Sequence, residues 1–253
     1  MTVSLDELMD GLTRELKPEQ FKDYCPNGLQ VQGRSTVARL VSGVTACQAL
    51  IDAAIAQKAD AILVHHGYFW RGEDAVLTGL KQRRIKTLME HDISLIAYHL
   101  PLDAHAELGN NVQLARVLGL TPSAALTRQN NHDMGLLATL PEPIAGDDFA
   151  TLLTERLQRK PLHIAGTEAP VRTVAWCTGA AQGYIEQAIA AGADAYISGE
   201  ISEQTVHIAR EYGIHYFAAG HHATERYGVQ ALGQLLAQRF DLQHRFIDID
   251  NPV

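Results

Sequence analysis

Cysteine is scarce in this 253-residue chain, and the three present, Cys25, Cys47 and Cys177, are widely spaced with no CxxC pair. That excludes a thiolate zinc finger and a disulfide framework. Basic charge is short as well. Lys and Arg total 21 against 29 Asp and Glu, for a net charge of −8, so nucleic acid is not an expected partner. No apolar run approaches the roughly 20 residues that span a bilayer. The opening MTVSLDELMDGL lacks the basic start and apolar core of a secretory signal, and the expected location is the cytoplasm, without membrane attachment. There is no GxGxxG, no GxxxxGK[ST] and no GxSxG, which removes dinucleotide binding, a P-loop and a nucleophile elbow.

What remains is an ordinary globular composition, 46% hydrophobic and 20% charged. Short apolar runs alternate with helical stretches, the pattern of an α/β protein with a mostly parallel sheet. Ser4 and Glu7 predict a capped first helix. Strands are expected at Leu40–Val44, Ala61–Val64 and Ile93–Tyr98, and again at Val171–Cys177, Ala195–Ser198 and Ile214–Ala219, with helices between. Pro26-Asn27-Gly28 reads as a turn. A shift of 134 residues superimposes Ala46, Gln48, Ile51, Ala54, Ile55, Ala56, Ala59, Asp60 and Ala61 on identical residues, nine matches in 16 positions. Internal duplication follows: two similar α/β lobes, 1–125 and 126–253. Their boundary is approximate, within the turn-rich stretch Thr121–Gly146, and the lobes are free to interleave.

Histidine carries the chemistry. Of the 12, His65-His66 and His221-His222 both follow expected buried strands, where open α/β sheets collect ligand groups. His99-Leu-Pro-Leu-Asp103 and His221-His-Ala-Thr-Glu225 are both His-x₃-acid. In the second, a helix would bring imidazole and carboxylate to one face; in the first, Pro101 argues for a turn. Imidazole and carboxylate from separate strand ends make a divalent-metal pattern rather than a protease pattern.

The runs DYCPNGLQVQG (23–33), GVTACQALIDAAI (43–55), ADAILVHHGYFW (59–70), HLPLDAHAELGNN (99–111), AWCTGAAQ (175–182), GEISEQT (199–205) and AGHHATER (219–226) resemble the YbgI-like, NGG-interacting-factor-three-like family, often labelled GTP cyclohydrolase I type 2 homologue. The resemblance runs in order along almost the whole chain. It implies two α/β lobes with a metal site in the cleft between them, two divalent ions per chain, and a ring-shaped homohexamer built as a trimer of dimers. The implied ligands are His65, His66, Asp103, His221 and Glu225, with Glu225 bridging the ions. His99 is implied as a ligand or as a partner of one, and His222 falls where the family varies. Zinc, manganese, iron, nickel and magnesium are not distinguished by an all-N/O ligand set.

Two divalent ions bring four positive charges and Asp103 and Glu225 return two negative ones, which invites hydroxide and anionic substrate oxygens. The function expected is therefore a metal-dependent hydrolase acting through metal-bound hydroxide, with a small phosphorylated or nucleotide-like substrate and ring opening as the label's suggestion. The alternative is a metal-stabilised ring serving as a scaffold or adaptor without turnover. Glu200, aligned in the repeat with His66, is a candidate general acid or base, or else a cap-region acid near Ser202. His207 reads as a cleft residue or a surface one. Lys81, Arg83, Arg84 and Lys86 read as a phosphate contact or a solvated helix face. Tyr68, Phe69 and Trp70 read as stacking groups for a ring-bearing substrate or as lining of a contact.

Overall fold

The computed structural model describes residues 2–129 and 132–253. Met1, and Asn130 and Asn131 in the stretch where the sequence places the lobe boundary, lie outside the described residues. The chain forms two compact units, Met1–Leu108 with Gly228–Asp250, and Gly109–Tyr227 with Asn251–Val253. The chain thus returns to its first unit at Gly228.

The first unit opens with β1 (Val3–Ser4), α1 (Leu5–Leu16), β2 (Gly28–Val31), β3 (Thr36–Val37), β4 (Arg39–Thr45), α2 (Gln48–Ala56), β5 (Ala61–His66), α3 (Gly79–Glu90), β6 (Ser94–Ala97) and α4 (Leu100–Asp103). The second contains α5 (Asn110–Leu118), β7 (Ala124–Gln129), β8 (His132–Ile144), α6 (Gly146–Leu157), β9 (Leu162–Ile164), β10 (Val171–Cys177), α7 (Ile185–Ala190), β11 (Ala195–Ser198), α8 (Glu203–Tyr212) and β12 (His215–Ala218). Helix α9 (His221–Phe240) starts in the second unit and ends in the first, followed by β13 (Gln243–Phe246).

Local chemistry accounts for these elements. Ser4 Oγ accepts from the Glu7 amide at 3.2 Å and starts α1. Leu5, Leu8, Leu12 and Leu16 recur at helical spacing and are all buried. Strands alternate faces. In β5, Ala61 and Leu63 join a core with Leu8, Leu12 and Val229, while Ile62 and Val64 join another with Leu50, Ile51 and Leu88. In β10, Val174 and Trp176 pack with Phe149 and Leu153, and Ala175 and Cys177 with Ile185 and Ala209. Both sheets are thus covered on both faces, as parallel strands require. Trp176→Ala would open the larger second-unit core at about 3–5 kcal/mol.

The first sheet has the order β13-β4-β5-β6-β2, with β2 antiparallel to its neighbour and the other pairs parallel. The second has the order β7-β8-β10-β11-β12-β9, parallel through β10, β11 and β12, with antiparallel strands at both sides. The edge strands β2 and β9 were not expected from sequence, because four and three residues show too little periodicity.

The duplication is written into the hydrogen bonds. Leu40 pairs with Ala61 and Val174 with Ala195, each 134 residues apart. Ala61 pairs with Ser94 and Ala195 with His215, so by the third strand the offset has fallen to 121. At that offset His99 aligns with Gly220, and the two His-x₃-acid units stand one position out of register. Pro101, expected to force a turn, instead occupies the first turn of α4, where its missing N–H costs nothing.

Candidate metal centre

Strand β5 runs two residues further than the sequence suggests and delivers His65 and His66 at its carboxyl end. His65 is fully buried, and its Nδ1 donates to the Tyr98 carbonyl at 2.9 Å. That bond fixes the tautomer and turns Nε2 toward Asp103 Oδ1, 3.4 Å away. An imidazole lone pair facing a carboxylate, itself only 8% exposed, is a repulsive pair of acceptors unless a proton or a metal cation joins them. His66 Nδ1 pairs with Thr45 Oγ1 at 3.2 Å. His99 Nδ1 donates to Asp23 Oδ1 at 2.7 Å, and the His99 amide donates to Asn27 Oδ1 at 2.7 Å. Asp23 Oδ2 also accepts from the Leu100 amide and from Asn27 Nδ2. Burial pushes the Asp23 carboxyl up, but the hydrogen bond and charge of His99, with the Asn27 and Tyr24 hydrogen bonds, together hold the group below its ordinary value.

His65, His66 and His99 each offer a ring nitrogen, and these lie within 4.8 Å of one another. Asp23, Cys25 and His99 form a second such group. Burial, and then the Asp23 charge, push the Cys25 thiol up to about 12, so its proton competes with any metal. Gly67 follows the histidine pair because a Cβ there would stand 2.1 Å from Gln30 Oε1 and 2.6 Å from the Ala97 Cβ.

In the second unit α9 begins at His221, so His221 and Glu225 share one helical face. His221 Nδ1 donates to Glu200 Oε1 at 2.7 Å, and Nε2 lies 3.1 Å from Glu225 Oε2. Burial alone would lower His221, but the carboxylates of Glu225 and Glu200 overcome it and raise the group to about 9. Glu225 is only 3% exposed. The arrangement repeats that of His65: a partner holds Nδ1 and aims Nε2 at a buried carboxylate. Four imidazoles held through Nδ1 by a carbonyl, a hydroxyl and two carboxylates are the orientation that histidine ligation uses.

The family model described as Duf34/NIF3 (NGG1p interacting factor 3) matches residues 3–252. The chain belongs to this family. A Pseudomonas aeruginosa relative described as "GTP cyclohydrolase 1 type 2 homolog" is 58% identical over 252 residues, covering 100% of both chains. An Escherichia coli K12 relative of the same description is 49% identical, covering 97% of this chain and 98% of its own. Among solved structures, one described as "protein ybgI, unknown function" superposes with a TM-score of 0.94 at 49% identity, covering 99% of this chain and 100% of the other. A Thermus thermophilus protein gives 0.87 at 33%, with coverage of 99% and 100%. The expected resemblance and the duplicated α/β fold are borne out. Among the described residues no helix is long and apolar enough to cross a membrane.

The remaining residues of this Duf34/NIF3 member fall as follows. Glu200 engages His221 as its carboxylate partner. The His222 amide donates to the Val253 carbonyl, and His207 is exposed on α8. Lys81 pairs with Glu73 at 3.3 Å and sits 4.7 Å over the Phe69 ring, Lys86 pairs with Glu90, and Arg83 is exposed. Tyr68 is buried and donates to the Ala46 carbonyl, a packing role. Trp70 lies beside His99, with ring centroids 5.0 Å apart. Sequence reasoning missed Asp23, Asn27 and Thr45 as histidine partners. Asp23 and Asn27 stand in the quoted run DYCPNGLQVQG, but nothing local says that this turn reaches His99.

Proposed function

We propose that this chain is a dinuclear, divalent-metal-dependent hydrolase. His65, His66, Asp103, His221 and Glu225 hold two ions, with His99 as a further ligand or a support of the His65–His66 pair. The observation that carries the reading is the double occurrence of a buried carboxylate facing an Nε2 whose Nδ1 is already committed, at His65–Asp103 and His221–Glu225. Each is a ready cation seat. Bound divalent ions supply Lewis acidity and make water acidic enough to attack near neutral pH. The chain's own part is to hold imidazole orientation through Tyr98, Thr45, Asp23 and Glu200, and to keep Asp103 and Glu225 in low-dielectric surroundings.

Zinc heads the usual candidates by affinity order, ahead of manganese, iron and magnesium, with nickel close behind it. The relatives' label supports a nucleotide substrate and a ring-opening hydrolysis, and the net positive charge of two ions with two carboxylates suits a phosphorylated one. The family resemblance supports a homohexamer working in the cytoplasm. The exposed Val76, Leu77 and Leu80 on one segment are apolar surface that a subunit contact would cover.

The test is metal content on protein purified without added metal or chelator, for wild type, His65→Ala and Glu225→Ala. About two ions per chain in wild type, falling in both variants, supports the site. Hydrolysis of GTP or another phosphorylated nucleotide, lost in Glu225→Ala, then supports the reaction. Negligible metal that zinc, manganese or iron cannot restore overturns the reading. Bound metal with no turnover on any nucleotide, and lowered thermal stability in Glu225→Ala, would favour a metal-stabilised scaffold.

A further inference from the structure

The loop after β5 does more than follow the histidines. Gln30 Oε1 accepts from the Tyr68 amide at 2.7 Å, and Gln30 Nε2 donates to the Tyr68 and Pro26 carbonyls. The next residue, Phe69, has φ of 66°, a left-handed conformation that an aromatic side chain adopts only under constraint. That turn sets the half-buried Trp70, whose indole N–H donates to the Gly67 carbonyl at 3.1 Å and whose amide donates to Glu73 Oε2 at 3.0 Å. Glu73 is in turn held by Lys81. Arg71 fastens the far side, its amide bonding the Tyr24 carbonyl and its guanidinium the Asp23 carbonyl. The fixed indole stands 5.0 Å from the His99 ring at 82° and 6.0 Å from the His66 ring at 56°.

A tryptophan needed only for packing is normally buried and does not require a strained neighbour to place it. Here a strained, multiply anchored loop holds a half-exposed indole against two imidazoles of the metal centre. Its one polar atom is satisfied within the loop, so what it offers a ligand is an aromatic surface.

We infer that Trp70 is the ring-stacking wall of this centre, selecting ligands that join a metal-seeking anionic group to a planar heterocycle. Purine nucleotides are the fitting class. The inference rests on the hydrolase reading above and names what that site recognises. Trp70 is a specificity residue here, since base–aromatic stacking is available to any planar base while the phosphate carries the metal contact.

The experiment is calorimetric titration of metal-loaded wild type, Trp70→Phe and Trp70→Ala with two probes, GTP and inorganic tripolyphosphate. Metal content and melting temperature are measured alongside. The expected result is GTP affinity reduced on the order of tenfold in Trp70→Ala and largely restored in Trp70→Phe. Tripolyphosphate affinity and metal content should stay unchanged, with the melting temperature confirming that each variant is folded under the titration conditions. If wild type binds GTP no tighter than tripolyphosphate, or if Trp70→Ala weakens both probes equally, the wall is overturned while the metal centre stands. If metal-loaded wild type binds neither probe, the nucleotide hydrolase reading fails, and the inference with it.

Discussion

Gly179 and Glu225 approach so closely that no side chain fits between them: a Cβ at 179 would stand 2.2 Å from Glu225 Oε1 and 3.2 Å from His221 Nε2. The glycine also has φ of 68°, in the left-handed region that other residues resist. Its amide donates to Thr224 Oγ1, which joins this backbone to the first turn of α9. The loop after β10 is therefore shaped to admit a carboxylate that 46 positions of sequence separate from it.

Gly179→Ala should push the Glu225 carboxylate away from His221 and cost more than about 1 kcal/mol of stability through backbone strain. Competition with a chromogenic chelator should show weakened metal binding in this variant. Wild-type metal affinity in folded Gly179→Ala would show that Glu225 holds no metal in the way proposed.

Glu200→Gln keeps an acceptor for His221 Nδ1 but removes its charge. Metal affinity should fall about 10–100-fold, as for other partners of histidine ligands. In metal-free protein, the His221 titration followed by NMR should move down from about 9. A lost affinity with an unmoved titration would mean that Glu200 acts by geometry alone.

The pH dependence of the metal-free chain follows from the same residue. His221 is raised from 6.5 to about 9, so its contribution to stability is complete below 6.5 and is lost as pH rises through 9. Melting temperature in chelator should therefore fall over that interval, and less so in His221→Asn. Metal must displace the same proton, so affinity should rise with pH across the interval. A pH-independent affinity there would remove His221 from the ligand set.

Asp60 and Asp194 occupy equivalent positions of the duplication and perform the same task. Asp60 Oδ2 accepts from the Ala38 and Arg39 amides at 2.9 and 2.8 Å, and Asp194 Oδ2 from the Arg172 and Thr173 amides at 2.9 and 2.7 Å. Asp60 also meets Arg34 at 2.8 Å. Replacement by Ala should destabilise at about 1.5–3 kcal/mol for Asp194 and more for the deeply buried Asp60. Urea unfolding measures both, and equal losses would mean that the arginine contact adds nothing.

Much of this is legible in the amino-acid sequence alone. The 134-residue repeat in 46–61 reappears as shared strand register and as the Asp60–Asp194 pair. Strands β10 and β11 fall at the expected residues, and the histidine pair at 65–66 stands at the end of its strand. Where expectations slipped, a tertiary contact had overridden a local signal. Pro101 reads as a breaker, yet it is harmless in a first turn. Helix α9 begins at His221 itself, where carboxylates on both sides offset the cost of burying the ring.

The sequence by itself determined the α/β class, the duplication and the histidines at strand ends, because periodicity and spacing are properties of neighbours along the chain. Only the tertiary structure decided which groups hold those imidazoles. Asp23 reaches His99 across 76 residues, Tyr98 reaches His65 across 33, and Glu200 reaches His221 across 21. It also decided that β13 returns to pair with β4 in the first unit. Hydrogen bonds and strand pairing join groups that are close in space, and closeness in space across such separations is set by the packed sheet and helices, not by the chain's local order.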